Sequence, residues 1–251
     1  MTEPEQIDVL AFSPHPDDAE IGCGGLLLLA AKEGLTTAIV DMSEGEKATA
    51  GTPAIRQKEK HSAAERLGLT VRPALGLPDT QIGQDPTHEG AIITCLREYR
   101  PRIVLAPYFE DRHPDHEEAA RVIKRAVFFA GVARVGSGPP HQIERLLHFR
   151  IHQPFQPSLV FDVTRVWPDY QNVLAAYQSQ FFQPGAHKAQ DTSLNSGQFL
   201  QSLEVRARHY GAMINAEFGE PYYAASPLSF QSPSGLLRPR SAAPTYGSFS
   251  A

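Results

Sequence analysis

The chain has 251 residues, 41% of them hydrophobic and 20% charged, enough for one large core or two small ones. Its formal charge of −5 argues against general nucleic-acid or anionic-membrane binding, and no stretch approaches the roughly 20 apolar residues of a membrane span. Two cysteines, Cys23 and Cys95, are too few for a disulfide scaffold, and the acidic start "MTEPEQ" lacks the pattern of a signal peptide, so a soluble cytoplasmic protein is expected.

The first half alternates short apolar runs with segments of helical length. "IDVLAF" (7–12), "TTAIVDM" (36–42), "VRPAL" (71–75) and "RIVLAP" (102–107) read as strands, and 20–33, 54–67, 88–99 and 115–130 as helices. In the last of these, Ala119, Val122, Ile123, Ala126 and Val127 line up as one apolar face. The rhythm predicts an α/β fold, a mostly parallel sheet flanked by helices. Residues 131–142 read as a loop, and 145–151 and 158–164 as further strands. Two helices follow, one with Tyr170, Val173, Leu174, Tyr177 and Phe181 on a face, the other with Phe199, Leu203, Ala207, Tyr210 and Ile214. No acidic residue follows Glu220, and Ser, Pro, Gly and Ala dominate the end of the chain. One domain over 1–225 with a poorly packed tail over 226–251 is therefore expected.

Two polar clusters stand where strands end. "SPHPDDAEIGCGG" (13–25) follows the first strand, and "EDRHPDHEE" (110–118) follows the fourth. In a doubly wound sheet of order 3-2-1-4, strands one and four are neighbours at the switch point, where ligands bind beyond the carboxyl ends. The topology would bring His15, Asp17 and Asp18 to His113, Asp115 and His116. Two histidines and an aspartate without cysteine suit zinc or another borderline divalent ion with one position left for water. Either cluster alone also reads as a turn whose Asp caps the next helix. Gly22, Gly24 and Gly25 do not form a dinucleotide loop and are read as packing residues that let a helix approach the sheet.

"PHPDDAEIGCGG" together with "DRHPDHEEAA" resembles the LmbE-like (PIG-L) family of zinc-dependent N-acetylglucosamine deacetylases. The likeness runs on through "SEGEKATAGTPAIRQKE", "LGLPDTQI", "YQSQF" and "EVRARHYG…FGEPYY", most like the branch that deacetylates N-acetylglucosaminyl-L-malate in bacillithiol biosynthesis. It implies a Rossmann-like fold, Zn2+ on His15, Asp18 and His116, and Asp17 as general base. It further implies His113 as the oxyanion donor, held protonated and oriented by Asp115, and substrate contacts from Arg56 and Arg112. Ser43 and Glu44, after the second strand, are candidates for binding sugar hydroxyls. Phe199, beside Gln198, stands about where Bacillus-type relatives carry a tyrosine. The resemblance implies a small-molecule N-acetylglucosaminyl substrate, no nucleic-acid or membrane partner, and a homo-oligomer, in the nearest branch a hexamer. A bacillithiol S-conjugate amidase, a chitooligosaccharide deacetylase and a non-catalytic sugar-binding module remain open as alternatives.

Overall fold

The computed structural model describes residues 6–48, 51–181 and 196–228. Strands β1 (Val9–Ser13), β2 (Thr37–Asp41), β3 (Ile103–Pro107), β4 (Arg145–Phe149), β5 (Leu159–Asp162) and β6 (Gly219–Tyr223) form one sheet in the order β2-β1-β3-β4-β6-β5. The first four run parallel, while β6 lies antiparallel to both β4 and β5. β1 and β2 are buried at every position, as expected of continuous apolar strands covered on both faces.

Helices α1 (Asp18–Lys32), α2 (Pro53–Leu67), α3 (Pro86–Tyr99), α4 (Pro114–Ala130), α5 (Trp167–Leu174) and α6 (Gly197–Ala212) cover the sheet. Prolines at the first turns of α2, α3 and α4 sit where a missing N–H has no consequence. Leu27, Ile39, Tyr177 and Leu203 belong to one core, against α1, α5 and α6. Leu10, Val40, Ile92 and Ile123 belong to the other, against α3 and α4.

Three sequence expectations change. Residues 71–75 are not a full strand, and only Val71 and Ala74 bridge to β2. Pro73 lies between them, and a proline has no N–H to give a ladder. The apolar face expected to reach Phe181 ends as a helix at Leu174, with turns through Gln180. β6, which carries Pro221, was not expected at all. Its core contribution comes through Tyr222, which is fully buried, and Glu220. Of the tail expected over 226–251, residues 229–251 lie outside the described residues, while Leu228 packs on the core.

Helix α1 is not continuous. Cys23 has φ −143° and ψ 15°, so the helix breaks there and frees backbone groups in the protein interior. The N–H groups of Gly25 and Leu26 donate to the Glu220 carboxylate at 2.9 and 2.8 Å, while the carbonyl of Ile21 accepts from Tyr170 Oη and Arg206 Nη2. Glycine is required at the break: a Cβ on Gly22 would sit 2.1 Å from the Phe149 ring, and one on Gly25 would sit 2.7 Å from Glu220. "GCGG" is thus a packing device, where the first helix meets β4 and β6.

Candidate active site

β1 and β3 are adjacent, so the loops that leave their carboxyl ends meet. The loop after β1 is fastened on both sides. Ser13 Oγ donates to the carbonyl of His15 and accepts from the N–H of Ala19, while Ser43 Oγ donates to the carbonyl of Pro14 at 2.8 Å. Within this loop Asp17 has φ 111°, the left-handed region that a non-glycine residue occupies at a cost of order 1–3 kcal/mol. That backbone sends the adjacent carboxylates of Asp17 and Asp18 in different directions.

Asp18 Oδ2 lies 3.1 Å from His15 Nδ1 and 3.1 Å from His116 Nε2. Each imidazole has its other nitrogen on a carboxylate. His15 Nε2 reaches Asp115 Oδ2 at 3.1 Å and Asp79 Oδ1 at 3.3 Å, and His116 Nδ1 reaches Asp111 Oδ1 at 3.1 Å. Nitrogens of His15, His113 and His116 also lie within 4.8 Å of one another.

This donor set fits a divalent cation. Two imidazole nitrogens and a carboxylate oxygen converge without thiolate, and the outward nitrogens are anchored as in metal-binding histidines. The charges agree. Burial alone would push the His15 ring down, yet contacts with Asp115, Asp18 and Asp79 hold it up at about 12. His116 is likewise raised, to about 9, because Asp18 and Asp111 outweigh its burial. Burial would also raise Asp18, but His116 and His15 hold it well below the usual carboxylate range. The carboxylates demand a positive charge at this spot, which a bound cation would provide in place of protons.

Asp17 is 4% exposed. Burial, and then the charge of Asp18, push its carboxyl up to about 8, against the pull of Arg56. The group is therefore suited to hold a proton near neutral pH.

His113 departs from expectation. It is the N-cap of α4, and its Nδ1 accepts the backbone N–H of Asp115 at 3.2 Å. Burial, then His116 and His15, lower its pKa. Because Nδ1 accepts the Asp115 N–H, the ring proton sits on Nε2. Asp115 does not hold the His113 ring charged. Its carboxylate faces away, to His15 and to the N–H of Thr80.

The expected substrate contacts are also redistributed. Arg56 is buried, with Nη2 donating to the carbonyl of Pro16 at 2.8 Å and lying 3.8 Å from Asp17 Oδ2. It buttresses the loop from behind. Ser43 is committed to Pro14 and Gly45, and Glu44 to Gln57 and Lys60 on α2. Arg112 is exposed beside His113. Phe199, in the first turn of α6, stacks on Phe181 at 5.8 Å, and Gln198 is exposed.

Sequence reasoning assigns no role to Asp111, Asp79 or His152. Asp111 sits in a charged string without distinctive spacing. Asp79 and His152 reach the site from loops far away along the chain, so only the folded structure brings them in. A buried network completes the support. Arg72 pairs with Asp41 at 2.9 Å and Glu20 at 2.6 Å, and Tyr177 Oη donates to Glu20. It ties the end of β2 to the first turn of α1.

A profile of the PIG-L family, described as GlcNAc-PI de-N-acetylase, matches residues 10–127, which contain both loops. The conserved protein TT1542 of Thermus thermophilus superposes with a TM-score of 0.82 at 34% identity, over 90% of this chain and 97% of that one. The chain belongs to the PIG-L/LmbE-like deacetylase family. Members similar to it include a diacetylchitobiose deacetylase of Thermococcus kodakarensis, 29% identical over 69% of this chain and 70% of that protein. Another is a probable N-acetyl-alpha-D-glucosaminyl L-malate deacetylase 2 of Bacillus cereus, 26% identical over 68% of this chain and 83% of that protein. As a member of this PIG-L/LmbE-like family the chain is an amide-hydrolysing enzyme. Among the described residues no helix is long and apolar enough to cross a membrane.

Proposed function

We propose that this enzyme is a cytoplasmic, homo-oligomeric zinc deacetylase, which hydrolyses the acetamide of N-acetylglucosaminyl-L-malate to acetate and the free amine. The observation that carries the chemistry is Asp17, a buried carboxylate with a raised pKa, one residue before Asp18 and its two histidines. A zinc ion on His15, Asp18 and His116 would supply Lewis acidity and an acidified water.

The remaining steps belong to the side chains. Asp17 takes the proton from the attacking water as its oxygen bonds to the acetyl carbon. His113 Nε2–H, held by the Asp115 N–H on the opposite nitrogen, donates to the oxyanion as a neutral ring. Asp17 then returns the proton to the departing nitrogen as the C–N bond breaks, and acetate leaves. Asp115 and Asp79 act through His15, which they orient.

A second substrate is favoured by one observation. Arg56 is buried against Asp17 and Pro16, so it supports the loop and does not offer itself to a malyl carboxylate. That favours a neutral aglycone, as in diacetylchitobiose. Acetate release from both substrates by the zinc-loaded enzyme decides between them. A kcat/KM at least tenfold higher on the malate conjugate supports the first reading, and the reverse ratio supports the second. No acetate from either would overturn both.

A further inference from the structure

Three imidazoles are stacked across the site. His116 lies in the middle, with His113 at 4.7 Å on one side and His152 at 5.3 Å on the other, the latter pair within 5° of parallel. The middle ring is buried, whereas His113 and His152 are partly exposed, His152 by 17%. His152 follows β4, the strand next to β3, and so stands at the same carboxyl edge as the two loops.

Asp111 holds His152 with both carboxylate oxygens. Oδ1 is 2.9 Å from His152 Nδ1, and Oδ2 accepts the His152 backbone N–H at 3.1 Å. The same Oδ1 holds His116 Nδ1 and accepts the N–H of His113. One aspartate therefore holds two of the rings and the backbone that presents the third. The Asp111 carboxylate can only accept, so His152 Nδ1 carries an N–H that points at it, and in that tautomer Nε2 faces away as the acceptor. Nε2 keeps its lone pair and has no partner among the described residues. A rigidly held, partly exposed acceptor beside a catalytic centre is a place for a ligand's hydrogen-bond donor.

The two outer rings thus differ in sense. His113 presents a donor on one side of the buried His116, and His152 presents an acceptor on the other. We infer that His152 is a substrate-contacting residue whose Nε2 accepts a hydrogen bond from a ring hydroxyl of the N-acetylated sugar. The stack places it beyond the reach of the acetamide that His113 faces, and a sugar ring carries hydroxyls outward from that group. The inference rests on the N-acetylglucosaminide reading above and adds to it a residue that reads the sugar.

The test compares kcat/KM for the zinc-loaded enzyme on an N-acetylglucosaminide and on its 3-, 4- and 6-deoxy counterparts, in the parent and in His152→Phe. Phenylalanine keeps a flat ring against His116 but has no acceptor, and zinc content is measured alongside. The parent should lose about tenfold to hundredfold on one deoxy substrate, as expected when an acceptor covered by the bound sugar is left unmatched. His152→Phe should retain zinc and treat that pair alike within about twofold. A merely structural role would slow all substrates equally and leave the ratio unchanged. His152→Asn, whose carbonyl restores an acceptor, provides a second variant should phenylalanine disturb the fold, and partial recovery of the ratio is expected from it. Equal discrimination by parent and both variants, or no discrimination in the parent, overturns the role of His152 while leaving the deacetylase reading standing. Failure of the parent on every glycoside overturns both.

Discussion

Replacing Glu220 tests whether the break in α1 depends on a strand almost two hundred residues later. Its Oε1 accepts from the N–H of Leu26 at 2.8 Å and from Tyr222 Oη at 2.6 Å, and its Oε2 accepts from the N–H of Gly25 at 2.9 Å. Glu220→Ala strands all three donors in the interior. A buried donor without a partner costs about 1–3 kcal/mol, so the loss of all three should be roughly 3–9 kcal/mol out of a total stability of about 5–15 kcal/mol. Glu220→Gln keeps a carbonyl for Leu26 and Tyr222 but turns an amide N–H toward that of Gly25. Its cost should be about 1–3 kcal/mol.

Urea unfolding followed by circular dichroism reads both, provided the slope with denaturant stays constant. Burial pushes the Glu220 carboxyl up, so the folded chain holds a proton there more readily than the unfolded one. That contribution is complete below the unfolded value of about 4.3 and is lost as pH rises through the higher folded value. Glutamine does not titrate, so the gap between parent and Glu220→Gln should narrow as pH rises above about 4. A Glu220→Ala variant within about 1 kcal/mol of the parent would refute the reasoning, because the helix would then be mending its own break.

Other outcomes follow from the site. His15→Ala should lose bound metal, whereas His113→Ala should keep it and lose about 10²–10³ in turnover, as for one missing oxyanion donor. Equal metal loss in both variants, read by elemental analysis, would contradict the assignment. Asp17→Asn should abolish turnover with metal retained and Tm unchanged or higher, since asparagine tolerates the left-handed backbone and removes a buried titratable carboxyl. Gly22→Ala should lower stability by about 1–3 kcal/mol through its overlap with Phe149, and Gly22→Ala/Phe149→Leu should recover part of that in thermal unfolding.

Much of the fold was legible because apolar runs and helical spacing report burial on two faces of a sheet. β1, β2, β3 and α1 to α4 all fall within a few residues of where periodicity puts them. Reading failed in opposite senses at two prolines: the apolar run around Pro73 reads as a strand but keeps only two bridges, and β6 with Pro221 looks like a turn although it pairs on both sides. In the site, adjacent Asp17 and Asp18 and the "HPDH" spacing carried the signal. The roles of Asp115 and Arg56 did not follow from spacing, because both depend on which way a side chain leaves its loop. Asp115 turned to His15 and Arg56 turned inward. Asp79, Asp111 and His152 are single residues in unpatterned stretches, and only tertiary contact gives them partners.

The bond between Glu220 and the middle of α1 has a meaning for how the protein is made. The helix that presents Asp18 leaves the ribosome well before the carboxylate that satisfies its interior, almost two hundred residues further along the chain. A nascent chain that lacks β6 holds the loop of His15, Asp17 and Asp18 on an unfinished helix. Competence to bind the cation should therefore arise only once β6 has emerged, and a chain released before Glu220 should carry the ligands without assembling them.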